Sequence, residues 1–284
     1  MPSVRFIPFL LTGTAILLCL TGALRYPPWR PADATPEPPP DLAKATEAAP
    51  DPAAKRLLSE AVRSWQGSGR EWVQATVWMR LHHPAARSVG EGTYLQAPGG
   101  RYRLELRTRP DDRPAERRAG TLVAVGDGRD HWQATRTNPT GYRQVRRLRT
   151  GDAGEASIRD SLVQGPRLLV NSLLSSLEWV RHTVDGPDAV LVGVWPAWAR
   201  ASLVPRGQSW PEAMPRVFRL TLRGADRWPA RVEWWGPLQP DGPDRLIAEV
   251  EFRDPKLGTV LPDDECDRLF RFEPGDTPVV TGVP

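Results

Sequence analysis

Apolar residues recur along this chain with two periods, and the switches between them mark its elements. Asp51-Pro52 supplies a helix N-cap and a first-turn proline, and Leu57, Leu58, Ala61, Val62 and Trp65 follow at helical spacing until Gly67. A short amphipathic helix is predicted there. From Trp72 the period becomes two: Val73, Ala75, Val77, Met79 and Leu81 alternate with Trp72, Gln74, Thr76, Trp78 and Arg80, a strand with one apolar face. A second strand at 89–96 turns through Pro98-Gly99-Gly100 into a third, where Tyr102, Leu104 and Leu106 alternate with Arg101, Arg103, Glu105 and Arg107. Residues 121–125 run into Asp127-Gly128, a hairpin signal, and the chain returns through His131-Trp132-Gln133.

The middle differs. Residues 158–180 carry Leu162, Val163, Leu168, Leu169, Val170, Leu173, Leu174, Leu177 and Trp179 with few turn signals, predicting a helix broken near Gly165-Pro166. Strands are expected again at 189–194, 217–222, 230–235, 246–252 and 269–272. No internal repeat is visible, and no linker separates the two β blocks. The pattern predicts a mainly β protein with helices (α+β): an unclosed antiparallel β-barrel or strongly curved sheet with a helical lid, spanning residues 51–284.

The first fifty residues read differently. Arg5 precedes an apolar run over residues 6–24, which fits a secretory signal, with small residues at Thr21-Gly22-Ala23 for cleavage; the run is also nearly long enough to serve uncut as an anchor. Leu17-Leu18 before Cys19 argues against lipidation. Residues 25–50, rich in Pro and Ala, are expected to form an extended spacer. The protein is therefore expected to be exported to the periplasm, soluble after cleavage or tethered to the inner membrane. Cys266 then has no internal disulfide partner, so stability must come from the core.

Charge narrows the functions. A net charge of +4, almost all of the positive part arginine, is interleaved with Asp and Glu rather than clustered, so no nucleic-acid partner is expected. The zinc-protease spacing, the phosphate loop and the nucleophile elbow are absent. His82-His83 on adjacent strand positions point to opposite faces, Asp127 and Asp130 beside His131 read as turn residues, and Asp263-Asp264-Glu265 with Asp267 lack the spacing of a calcium loop. No catalytic residue, metal or cofactor is expected. Twelve tryptophans are conspicuous, and Trp195, Trp198, Trp210, Trp228, Trp234 and Trp235 crowd the second β block, where some are expected to be core and the rest to line a cavity.

The order of motifs resembles the periplasmic outer-membrane lipoprotein carriers, the LolA-like family, over residues 51–280. The matching pieces are the opening helix ending near Trp65, the strand from Trp72 to Leu81, Gly90-Glu91-Gly92 with Tyr94-Leu95 and Pro98, and Leu104-Glu105-Leu106. Leu122-Val123-Ala124-Val125-Gly126-Asp127-Gly128, Trp132 and Phe270-Arg271-Phe272-Glu273-Pro274 complete the series. The resemblance implies an unclosed barrel capped by helices, whose apolar interior shields acyl chains in transit. It also implies an arginine before the proline of the second strand turn, where this chain has Ala97, and the stretch 196–215 is longer than the family requires.

The expected partner is an acylated lipoprotein or lipid, and membrane association would run through residues 6–24. The alternative is a membrane-tethered sensor or scaffold using the same fold to bind a protein partner, such as another envelope membrane protein. The expected apolar cavity and lid take Val77, Met79, Leu104 and Leu106 from the first strands, Leu169, Leu173 and Leu177 from the middle helix, and Leu220, Trp234 and Val250 from the second β block. Leu173→Asp is expected to impair ligand uptake more than folding, as a charge on a lid surface.

Overall fold

The structure is a computed structural model that describes residues 38–42, 44–65, 71–82, 87–111, 120–136, 142–149, 165–204, 208–212, 214–239, 242–258 and 260–281. The expected signal or anchor and the start of the spacer lie outside the described residues, as do His83 and residues 158–164. Among the described residues no helix is long and apolar enough to cross a membrane.

Helix α1, Pro52–Trp65, forms where the spacing predicts it. Ala54, Leu58, Ala61, Val62 and Trp65 make its buried stripe. Its start is fixed by Asp51, whose Oδ1 accepts from the backbone N–H groups of Ala53 at 2.9 Å and Ala54 at 3.2 Å. Strands β1 Val73–Leu81, β2 Ser88–Ala97, β3 Arg101–Pro110, β4 Gly120–Asp127, β5 Asp130–Arg136 and β6 Gln144–Arg149 follow, then helix α2 Pro166–Ser176. The second block contains β7 Glu178–Asp185, β8 Asp188–Val194, helix α3 Ala197–Leu203, β9 Val217–Arg223, β10 Trp228–Pro237 and β11 Asp244–Leu257. Helix α4 Asp263–Leu269 and strand β12 Val279–Thr281 end the described chain.

The strands form one hydrogen-bonded order, β12-β6-β5-β4-β3-β2-β1-β11-β10-β9-β8-β7, whose first and last members do not pair with each other. The sheet is therefore unclosed, as expected. It is not purely antiparallel, because β12 pairs with β6 in parallel. The chain divides into two compact units, the first built from residues through Ala61, Met79–Arg87 and Leu173–Glu251, the second from Val62–Trp78, Ser88–Ser172 and Phe252 onward.

In the first unit one apolar cluster joins Val180, Val192, Val194, Val217, Trp235 and Leu246 to Leu42 and Ala45. The last part of the expected spacer is thus folded: Pro40–Leu42 and Ala45–Glu47 are short 3-10 turns, and burying Leu42 and Ala45 repays their ordering. In the second unit Ala97, Cys266 and Phe270 form a cluster joined by Trp72, Leu95, Leu261 and Leu269.

Three expectations are corrected. The middle helix ends at Ser176, and Glu178, Trp179 and Val180 begin β7. A register shift between Trp179 and Arg181 interrupts the two-residue alternation there, which conceals the strand in a run of apolar residues. The strand expected at 269–272 is instead the end of α4 and its C-cap Phe270; Asp263, Asp264 and Glu265 in the first turn and Arg268 in the last suit the helix dipole and outweigh the alternation of Leu269-Phe270-Arg271-Phe272. The acidic stretch Asp263-Asp264-Glu265 with Asp267, for which the sequence predicts no helix, belongs to that same helix. Strand β6 was not expected, because Arg146 and Arg147 leave its faces without an apolar period.

Candidate functional site

In the first unit, register alone assembles an apolar face. Val250 lies opposite Val232, Val232 opposite Leu220, and Leu220 opposite Leu191. The adjacent row runs Ala248, Trp234, Phe218, Gly193, Trp179. Cross-strand partners in a ladder share a face, so the two rows make one surface. The expected residues Leu220 and Val250 meet there through Val232, with Trp234 beside them. Gly193 leaves a dimple that its neighbours fill: a Cβ at this position would sit 3.2 Å from Leu177 and 3.3 Å from the Trp179 ring. Trp195 closes on Phe218 edge to face, with ring centroids 5.1 Å apart.

Trp179 is buried, and its indole Nε1 has no hydrogen-bond acceptor among the described residues. A buried donor left unpaired costs about 1–3 kcal/mol. The apolar face therefore contains one polar atom that an incoming acceptor could satisfy. Leu169 and Leu173 are fully buried on α2, and Leu177 is nearly so, its N–H bonded to the Leu173 carbonyl at 3.1 Å. Leu173 thus sits in the core and not on an outer lid surface, so a charge there unfolds the protein before it tests a ligand. No acidic residue in the first turn of α2 and no basic residue in its last favours the helix dipole; Arg167 near the N-terminus opposes it. Burial is what holds this helix.

The opposite face of β9–β11 carries charge. Glu233 accepts from Arg219 at 3.0 Å and from Arg231 at 2.8 Å; Arg231 also pairs with Glu249, which accepts from His82 Nε2 at 3.1 Å. Burial raises the Glu249 pKa, but the His82 hydrogen bond and the Arg231 charge outweigh it and hold the carboxyl below its ordinary value. His82 is engaged in this ion pair, and no group of three metal-ligating side chains occurs among the described residues. Neither this network nor the pairing of His182 Nδ1 with Asp51 Oδ2 at 2.6 Å was legible from spacing, since each joins residues distant in sequence.

In the second unit Leu104 and Leu106 are buried on β3, and Val77 lies buried on β1. Met79, two residues further along β1, is buried and belongs to the first unit. The Tyr102 ring lies across Gly126, where a Cβ would sit 2.3 Å from Cε1, and its hydroxyl reaches within 3.2 Å of His131 Nδ1. Burial raises the pKa of Tyr94, whose ring occupies the space beside Gly165 at φ +102°. Asp127 Oδ1 accepts from the N–H groups of Arg129 and Asp130, both at 2.8 Å, which is turn chemistry as expected. Ala97, at the turn where the resemblance implies an arginine, is buried in one cluster with Cys266 and Phe270. Of the six tryptophans in the second β block, Trp195, Trp228 and Trp235 are core, Trp210 and Trp234 are half-buried, and Trp198 is 65% exposed.

No protein-family model and no curated protein sequence matches the chain. Among solved structures it is similar to the LolA superfamily protein NE2245 from Nitrosomonas europaea, at 13% identity over 77% of this chain and 97% of that one, with a TM-score of 0.32. It is similar to LprF from Mycobacterium bovis at 11% identity over 75% of this chain and 97% of that one, TM-score 0.37. The Pseudomonas aeruginosa MucA/MucB complex matches at 16% identity over 75% of this chain and 60% of that one, TM-score 0.37. These likenesses carry neither a ligand nor a partner over to this chain.

Proposed function

We propose that this protein is an exported, non-catalytic binder of acyl chains, borne by a lipoprotein or a lipid, that carries them across the cell envelope. The observation that supports it most is the orphan Trp179 indole on the two-row apolar face: an ester or amide carbonyl at the head of an acyl chain is the acceptor that an N–H in such a surface lacks. Helix α2, held by burial rather than by its ends, is the element that would give way to the chain; in the first unit Leu173 and Leu177 would then meet it with Met79, Leu220, Trp234 and Val250, and in the second unit Leu169, Val77, Leu104 and Leu106 are proposed as apolar contacts of the same kind. Residues 6–24 would direct export, as a cleaved signal or a retained anchor.

The test is uptake of a palmitoylated lipopeptide by delipidated protein, read by native mass spectrometry. One-to-one binding that weakens about tenfold in Trp179→Phe, the equivalent of one lost hydrogen bond, supports the reading. No uptake by the unmutated protein contradicts it.

A second reading is a tethered sensor or scaffold for a protein partner. Its support is α3 in the long 196–215 stretch, where Trp198 is exposed and Arg200 Nη1 bonds the Thr46 carbonyl at 2.7 Å, joining the helix to the chain that leads back to residues 6–24. Loss of a co-purifying membrane protein in Trp198→Ala, with acyl uptake absent throughout, would favour it.

A further inference from the structure

The face of β2–β6 that bears Leu104 and Leu106 changes character across the strands. Leu104 lies opposite Ala124, Ala124 opposite Gln133, and Gln133 opposite Arg146. At about 4.8 Å per strand, the row runs from leucine to arginine in about 14 Å. In the next row Tyr102 reaches over Gly126 to His131, which pairs with Leu148 on β6, so Arg146 is the basic residue of this end of the face.

Acid is excluded from this face. The carboxylates of these five strands are Glu91, Glu105, Asp127 and Asp130, and register puts each on the opposite face: Glu91 faces Arg107, Glu105 faces Val123, Asp127 faces Arg101 and Asp130 faces Arg149. The arginines of that opposite face include Arg103, paired with Glu105, and Arg147, which donates to Asp130 at 2.5 Å. Arg146 is half-buried like them, yet has no hydrogen bond or ion pair among the described residues. Its cross-strand neighbour is an amide.

A guanidinium that faces no carboxylate of its own sheet keeps its planar fork of donors free for a planar oxyanion, which it can meet with two charge-assisted hydrogen bonds. We infer that the Arg146 end of this face, with Gln133, holds the anionic headgroup, a phosphate or carboxylate, of an acyl lipid whose chains lie toward Leu104. The inference rests on the acyl-binding reading and narrows it to anionic ligands.

The experiment measures binding of dioleoylphosphatidylglycerol, dioleoylglycerol, which has the same chains and no phosphate, and inorganic phosphate to the delipidated full-length chain at low salt. The anionic lipid is expected to bind about tenfold more tightly than the uncharged one, the scale of one charge-assisted pair. Arg146→Gln should abolish that preference by lowering phosphatidylglycerol binding to the level of dioleoylglycerol. Arg147→Gln, on the opposite face, should keep the preference. Gln133→Glu, which gives Arg146 an internal partner, should abolish it as well and guards against misfolding of the first variant. Equal binding of the two lipids by the unmutated protein overturns the inference while the acyl reading stands. Phosphate binding with no lipid preference overturns the lipid as its source, and failure to bind either lipid overturns both readings.

Discussion

Asp51 carries two jobs on one carboxylate. One oxygen caps α1, the other accepts from His182. The His182 hydrogen bond and the capping N–H groups hold its carboxyl below the usual range against the opposing effect of burial. A depressed folded pKa contributes stability that is fully present above the unfolded carboxyl value and is lost as pH falls through the folded one. Asp51→Ala is expected to cost about 1–2 kcal/mol in urea denaturation at pH 7. The gap between the two proteins should close as the series is carried down through the acid range; a gap independent of pH would mean that the carboxylate charge contributes nothing. The cap was legible because Asp-Pro before an apolar period is a local signal. His182 was not, because its pairing depends on β7.

At the scale of elements, the C-terminal segment packs against the β2–β6 part of the second unit. Arg103 donates to the Leu269 carbonyl at 2.9 Å, and Phe272 stacks on Trp132 with centroids 5.3 Å apart. Burial raises the Cys266 pKa and hides the thiol. Ala97→Arg should therefore not be accommodated. It should overpack the Ala97, Cys266 and Phe270 cluster, cost about 1–3 kcal/mol or more, and expose Cys266 to alkylation, which peptide mapping reads. An unreactive Cys266 in that variant would mean that α4 tolerates the arginine. The charged network on the β9–β11 face makes a separate prediction: Glu249→Ala leaves Arg231 and His82 short of a partner and should destabilise by about 2–3 kcal/mol in chemical denaturation. A change within experimental scatter would mark the network as solvated. Strands with clean alternation, β1 and β3 above all, were readable in advance. Strands β6 and β7 were not, the first because its arginines serve both faces and the second because its bulge breaks the period.

For the whole molecule, the unclosed sheet was legible from the order of strands and turns, while the site was legible only in its apolar half. Leu220 and Val250 do share a face, but Trp179, Gln133 and Arg146 acquire meaning only through register. The face is mostly apolar and contains a buried indole donor with no acceptor among the described residues, a combination that suits a ligand with a long chain and a carbonyl. The most direct measurement is native mass spectrometry of the protein purified from its own envelope without detergent, followed by mild denaturation and identification of what is released. The account predicts a stoichiometric acyl lipid or acylated peptide, with an anionic headgroup where the species is a lipid. A chain that is empty on isolation and stays empty when offered such ligands would contradict it.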